Sequence, residues 1–145
     1  MRMAYLIATS LVLLALLSGC WQADRGILPG KSTPVPTDFN FLGRTSPCIL
    51  EVESAVPRTL RVNCFQIEGE LHIHSNRFSG FPRFSGESWV DTARRDPLVR
   101  VSIDANIYTM RAMPIVDDEQ RVQILHDRGY PYAWPSITVF RFDRR

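Results

Sequence analysis

Two histidines that lie two residues apart are the residues of this chain best placed to bind a metal ion. His72 and His74 fall in a segment with strand-like composition, and strand side chains two residues apart project from the same face. His126 could supply a third ligand, but the sequence places no neighbouring carboxylate to complete or orient the set. The favoured interpretation is two histidines on the solvent side of a strand, so no metal site is predicted.

The loop that follows this strand carries residues that could hold a phosphorylated ring. Arg77 and Arg83 could each bind a phosphate through two hydrogen bonds. Aromatic rings between and beside them could stack on a ligand, namely Phe78, Phe81 and Phe84. Arginine and phenylalanine in a loop with glycine and proline also pack down on their own core. The loop is therefore a candidate ligand site or a lid on the domain.

Other function classes find little support in the composition and motifs. The chain of 145 residues has 17 Lys and Arg against 15 Asp and Glu, and the basic residues are scattered. No nucleic-acid partner is therefore predicted. There is no phosphate-binding loop, no dinucleotide fingerprint and no Gly-x-Ser-x-Gly nucleophile elbow.

The first 20 residues have the composition of an export signal rather than of a folded element. Arg2 precedes an apolar run over residues 5–17, shorter than the about 20 residues that span a bilayer. The run ends in Leu17-Ser18-Gly19-Cys20, which resembles the lipobox of bacterial lipoproteins. The resemblance implies that Cys20 receives a diacylglycerol group and becomes the lipidated first residue, with acyl chains such as palmitate as the membrane anchor. An ordinary signal peptide or a single membrane anchor is the competing interpretation.

This resemblance divides the chain into three regions. They are a signal peptide over residues 1–19, a lipidated N terminus with a flexible tether over 20–45, and one domain over 46–145. Trp21, rather than an Asp, follows the lipidated cysteine. The protein is therefore expected to be exported and membrane-anchored, on the periplasmic face of the outer membrane if the cell is Gram-negative.

The two remaining cysteines fit a disulfide across a β-hairpin. An exported domain lies in an oxidising compartment, where paired thiols oxidise. A hairpin centred on Val56 puts Cys48 opposite Cys64 and Glu51 opposite Arg61, and it separates apolar from polar side chains. A redox-active pair would be expected as a close Cys-x-x-Cys beside a helix, so we predict a structural bond.

Three short stretches in the C-terminal two thirds of the chain carry a second resemblance. They are 69–75 (GELHIHS), 88–101 (SWVDTARRDPLVRV) and 108–118 (YTMRAMPIVDD). With the order of hairpin, strand, helix, two strands, helix and strand, residues 59–145 resemble the flavin-binding split β-barrel superfamily, which includes pyridoxamine-phosphate oxidases and deazaflavin-dependent nitroreductases. The implied fold class is mainly β (α+β), an antiparallel split β-barrel-like domain with two short helices.

The same resemblance implies a cofactor or ligand site and a homodimer. The candidate binding residues are His74, Asn76, Arg77, Arg83, Trp89 and Arg111. The loop over residues 76–84 departs from the family, whose loop is commonly rich in Ser, Gly and Lys where it meets phosphate.

Two functions from different classes remain open. The main expectation is a lipid-anchored envelope protein with a non-catalytic binding or structural role toward an unknown protein or small-molecule partner, without a cofactor. The competing expectation is an oxidoreductase that uses FMN or a deazaflavin. Export disfavours the second because reduced deazaflavin is rarely found outside the cytosol.

Overall fold

The described part of the chain consists of seven strands and two short helices. The computed structural model describes residues 27–52, 56–78 and 86–145. Its elements are β1 (Lys31–Ser32), β2 (Ser46–Val52), β3 (Arg58–Ile67), β4 (Glu70–His74), α1 (Trp89–Arg95), β5 (Leu98–Ile103), β6 (Asn106–Pro114), α2 (Asp118–Asp127) and β7 (Val139–Asp143).

Six of these strands close into an antiparallel barrel. The strand order is β6-β5-β2-β3-β4-β7, and pairing between β6 and β7 closes the ring. The two-residue β1 pairs in parallel with the start of β6, at Asn106 and Ile107. The predicted fold class, mainly β with an antiparallel split barrel and two short helices, is confirmed.

The barrel interior is filled by every second side chain of its strands, because successive strand residues point to opposite faces. The interior residues are fully or almost fully buried, among them Leu50, Leu71, Ile73, Val101, Met110 and Phe140. Helix α1 closes one end of the barrel with Val90 and Ala93. Its N-cap is Ser88, whose side chain accepts a hydrogen bond from the backbone N–H of Asp91.

A second, smaller core lies outside the barrel wall. Helix α2 and the connector after it cover β3, β4 and β7, and this core contains Phe65, Ile124, Leu125, Ile137 and Val139. Arg121 is buried between the helix and the connector, where its guanidinium donates to the Trp134 carbonyl at 3.0 Å.

The disulfide between Cys48 and Cys64 is present, but the hairpin register differs from the prediction by two residues. Cys64 lies opposite Ser46, and Cys48 lies opposite Val62. The bond therefore runs diagonally across the strands, with a Cα–Cα distance of 6.0 Å. Glu51 lies opposite Thr59, not Arg61. A shift of two residues keeps every side chain on its face, so the burial pattern could not distinguish the two registers.

Part of the segment expected to be a flexible tether packs on the barrel. Leu28, Phe39 and Leu42 are buried, and β1 hydrogen-bonds to β6. Over residues 28–45 the expectation of a tether is therefore wrong, because isolated apolar side chains between the prolines find places on the barrel. The expected signal peptide and Cys20 lie outside the described residues. No helix in the described ranges is long and apolar enough to cross a membrane.

Candidate functional site

A groove of about 460 Å³ lies on the outer face of the barrel, across β2, β3 and β5. Such a volume is within the usual range of small-molecule sites. Its apolar lining includes Pro29, Pro47, Ile49 and Val62, and its polar lining includes Arg61, Asn63, Ser102 and Asp104.

Two polar side chains of β3 in this groove are exposed and have no internal partner. Arg61 and Asn63 alternate with Val62 along the strand. Neither side chain makes a hydrogen bond or an ion pair within residues 27–52, 56–78 and 86–145. A guanidinium offers a planar fork of donors, and a primary amide offers both donors and an acceptor. The groove therefore combines an apolar surface with free hydrogen-bonding capacity.

One wall of the groove is an N-terminal strap, which we define as residues 27–33. The hydroxyl of Ser102, at the floor, donates a hydrogen bond to the Pro29 carbonyl. The N–H groups of Lys31 and Thr33 donate to carbonyls of the β5–β6 turn and β6, each at 2.9 Å. Gly30 takes a φ of 126° where a Cβ would lie 2.5 Å from the Ala105 carbonyl oxygen. The strap therefore needs glycine at this point to approach the turn.

The second arginine on this face is neutralised by a carboxylate. Arg100 on β5 donates two hydrogen bonds to Glu51 on β2, at 2.7 and 2.9 Å. The hydrogen bond that Arg100 donates to this carboxylate raises the pKa of Arg100. Within the described residues Arg61 is therefore the basic group of the lining without an ion-pair partner, and Asp104 is the acidic group.

The site residues expected from the sequence lie around the end of the barrel that α1 closes and on β6. His74 is the last residue of β4, and Asn76 and Arg77 lie in the loop that follows it. Arg83 lies outside the described residues. Trp89 packs inward on Phe140, with ring centroids 5.6 Å apart. Arg111 is exposed on β6, between Leu98 and Asp143 of the neighbouring strands.

Buried polar contacts fix the start of the loop after β4. Ser75 and Thr138 exchange two hydrogen bonds of 2.9 Å, from each backbone N–H to an oxygen of the other residue. Arg94 of α1 donates to the Thr138 hydroxyl at 3.0 Å, and Ser136 donates to the Arg77 carbonyl at 2.7 Å. The side chain of Arg77 lies over the Phe78 ring. Hydrogen bonds to α1 and to the segment before β7 therefore hold the first residues of this loop in place.

The two histidines of β4 do not face solvent, contrary to the expectation. His72 is 2% exposed, and His74 is half-buried against Tyr130, with ring centroids 4.8 Å apart. Burial is the main cause that lowers the pKa of each histidine. Within the described residues no group of three or more His, Cys, Asp or Glu side chains is arranged to hold a metal ion.

The groove residues were not singled out from the sequence. The predicted hairpin pairs Arg61 with Glu51, and the sequence pattern assigns no role to Asn63. The available signal is the alternation of the polar Arg61 and Asn63 with Val62 in β3. Its meaning depends on β5 and the strap, which are far from β3 in the sequence.

Comparisons with known proteins agree on the fold. No protein-family profile matches the chain, and no curated protein matches it. Among solved structures, a pyridoxamine 5'-phosphate oxidase candidate from Listeria innocua has a TM-score of 0.52 at 16% identity, over 67% of this chain and 82% of that one. An F420-H2 dependent reductase has a TM-score of 0.51 at 16% identity, over 67% and 93%. A NimC/NimA family protein from Clostridium acetobutylicum has a TM-score of 0.50 at 16% identity, over 68% and 71%.

This likeness defines the class of the fold. The described domain has the split β-barrel fold of these three structures. At 16% identity the likeness concerns the fold alone.

Proposed function

We propose that this chain binds a flavin-type cofactor, FMN or a deazaflavin, in the groove across β2, β3 and β5, and that it is an oxidoreductase. The observation that carries the proposal is that Arg61 and Asn63 have no partner among the described residues and lie beside an apolar lining. The names of the structural neighbours support the same class of ligand, since they include an oxidase and a reductase.

The residue types of the groove fit the parts of such a cofactor. The apolar side chains of Pro29, Pro47 and Ile49 suit a flat aromatic ring. Asn63 can exchange hydrogen bonds with the polar edge of that ring, and the Arg61 fork suits a phosphate. When bound, the flavin supplies the electron-transfer chemistry, and the protein supplies binding, orientation and electrostatics.

Arg61 gives the groove a cation that a phosphate can meet, while Asp104 is the acidic group of the lining. Arg100 is neutralised by Glu51, and Arg61 has no such partner in the described residues. Ser102 is committed to the Pro29 carbonyl, so it holds the strap rather than the ligand. In this proposal Arg61 positions the phosphate, Asn63 orients the ring and the strap limits the access of water.

Binding of FMN to the full-length chain, purified in detergent, tests this proposal. Arg61→Ala should weaken binding about 10- to 150-fold, because a charge-assisted bidentate contact contributes roughly 1.5–3 kcal/mol. Arg61→Lys should fall between the wild type and Arg61→Ala. Arg145→Ala removes the same charge from the end of the chain and should leave the affinity unchanged. Flavin fluorescence quenching reports all four affinities.

Two outcomes would overturn the assignment. Wild-type protein that binds neither FMN nor a deazaflavin would contradict the cofactor. Unchanged affinity in Arg61→Ala together with a loss in Arg77→Ala would instead place the cofactor at the loop after β4.

We also propose that the domain is held at the membrane by a lipid on Cys20, as a module of the cell envelope. The Leu17-Ser18-Gly19-Cys20 pattern after an apolar run supports this location. A lipid anchor is compatible with either a cofactor or a protein partner, and homodimer formation is a further proposal. Metabolic labelling with a palmitate analogue should mark the wild type and not Cys20→Ala. A variant that stays labelled and membrane-bound would refute lipidation at this residue.

A further inference from the structure

Four side chains form a compact cluster where the end of α2 meets the outer face of β3 and β4. The His74 ring lies 4.8 Å from the Tyr130 ring and 5.9 Å from the Phe65 ring. The Arg128 guanidinium lies over both aromatic rings, at 5.1 Å from Phe65 and 5.8 Å from Tyr130. Residues 128–130, which we call the corner, therefore pack on the barrel through contacts of Arg128 and Tyr130 with Phe65 and His74.

One nitrogen of each of these two side chains is buried without a partner. His74 Nδ1 lies 2.7 Å from the Ser75 carbonyl oxygen, which can only accept, so Nδ1 carries the proton in the neutral ring. His74 Nε2 is then an acceptor. Within the described residues neither His74 Nε2 nor Arg128 Nε has a hydrogen-bond partner. The cluster thus contains one unused acceptor and one unused donor.

We propose that His74 and Arg128 form an acid-sensitive latch that holds the corner on the barrel. At neutral pH one bound water accepts a hydrogen bond from the Arg128 Nε–H and donates one to His74 Nε2, so that both nitrogens are satisfied. Protonation of Nε2 removes the acceptor and places an imidazolium beside a guanidinium. The corner then separates from β3 and β4.

The surroundings of the latch offer little to compensate a second positive charge. The corner contributes Arg128 and Tyr130, and β3 contributes the apolar Phe65. On β4, His72 lies two residues from His74, and its own charged neighbours are Glu70, Arg141 and Asp143. From the N-terminal segment, a guanidinium nitrogen of Arg44 lies 3.5 Å from where a Cβ of Gly129 would be. At the end of α2, His126 and Asp127 are exposed and lie 3.7 Å from each other.

The pKa of His74 agrees with this geometry. Burial lowers it first, and the Arg128 charge lowers it further, against the hydrogen bond to Ser75. The open form of the corner takes up a proton near the ordinary pKa of about 6.5, while the closed form resists it to lower pH. Closure is therefore lost as the pH falls below about 6.5.

Backbone amides of the corner report its opening directly. The N–H groups of Arg128, Gly129 and Tyr130 donate to carbonyls of α2 at 2.8–3.0 Å. Amide hydrogen exchange of the full-length chain in detergent, corrected for the intrinsic rate at each pH, gives the opening constant. In the wild type it should rise about tenfold per pH unit below 6.5, the slope of a single proton. His74→Gln keeps an acceptor and removes the titration, so its opening constant should stay flat.

Two matched histidine variants separate the latch from general acid sensitivity. His126→Gln changes an exposed ring, and His72→Gln changes the buried neighbour; both should keep the wild-type slope at Tyr130. A wild-type slope in His74→Gln would overturn the proposal. If that variant does not fold, ¹⁵N shifts of the wild-type imidazole decide, since a protonated Nε2 at pH 7.5 would also overturn it.

Discussion

Glu51 on β2 accepts both hydrogen bonds of the Arg100 guanidinium fork on β5, with N···O distances of 2.7 and 2.9 Å. The Glu51 side chain is 9% exposed and that of Arg100 is 48% exposed. The pair joins two strands, and its two residues are 49 positions apart in the sequence. It also neutralises one of the two arginines beside the groove, so the strand pairing of the barrel sets the charge that a ligand meets.

Removal of Arg100 should destabilise the fold more than removal of Arg61. Arg100→Ala leaves a buried carboxylate without its partner, which costs about 1–3 kcal/mol of unfolding free energy. Arg61→Ala removes an exposed side chain with no partner in the described residues, so its effect should stay within about 0.5 kcal/mol. Urea unfolding of both variants measures the difference. A larger loss in Arg61→Ala would favour the register in which Arg61 faces Glu51.

The contrast between these arginines shows what the sequence could and could not predict. Alternation along β2 and β3 assigns each side chain to a face, and the disulfide partners follow from that face. Registers two residues apart preserve the same faces, so the pairing of Glu51 with Arg61 was an equally good solution. The correct partner lies on a strand that is distant in sequence, and local pattern carries no signal for such pairing. The groove was missed for the same reason.

Loss of the disulfide should lower the stability of the barrel. Cys64 is fully buried and Cys48 is 5% exposed, and the bond closes a loop of 16 residues. The double variant Cys48→Ala, Cys64→Ala should lose about 3 kcal/mol, because its unfolded chain is less constrained. Urea unfolding under oxidising conditions measures the loss, and the wild type with excess reductant serves as the control. Equal stability of variant and wild type would show that the bond contributes nothing.

Substitution of Gly30 should release the strap. A Cβ at this position would lie 2.5 Å from the Ala105 carbonyl oxygen, and the φ of 126° disfavours any L side chain. Gly30→Ala should cost about 1–3 kcal/mol of local strain, which corresponds to roughly 5- to 150-fold faster exchange of the Lys31 and Thr33 amides. At Gly43 the nearest atom to a Cβ is 4.0 Å away, so Gly43→Ala should leave these amides protected. Equal protection in both variants would mean that the strap is not held through this approach.

His72 should make the global stability of the domain depend on pH. Its ring is 2% exposed and stacks on Phe65 at 5.6 Å, and burial is the largest cause that lowers its pKa. Below about pH 6.5 the unfolded chain binds a proton that the folded chain still excludes. The unfolding free energy therefore falls with decreasing pH, by at most about 1.4 kcal/mol per pH unit for this group. The fall ends once the pH is below the lowered pKa.

Urea unfolding at several pH values between 7.5 and 4.5 tests this dependence. His72→Gln should reduce the slope below pH 6.5 to the part that His74 contributes, since burial also lowers the pKa of His74. His126→Gln, which changes an exposed ring, should leave the slope unchanged. This global measurement is distinct from the opening of the corner, because the charges that act on the pKa of His72 are those of Glu70, Arg141 and Asp143 and do not include Arg128. If His72→Gln abolished the acid-induced opening at Tyr130 but left the global profile unchanged, the roles given to His72 and His74 would be contradicted.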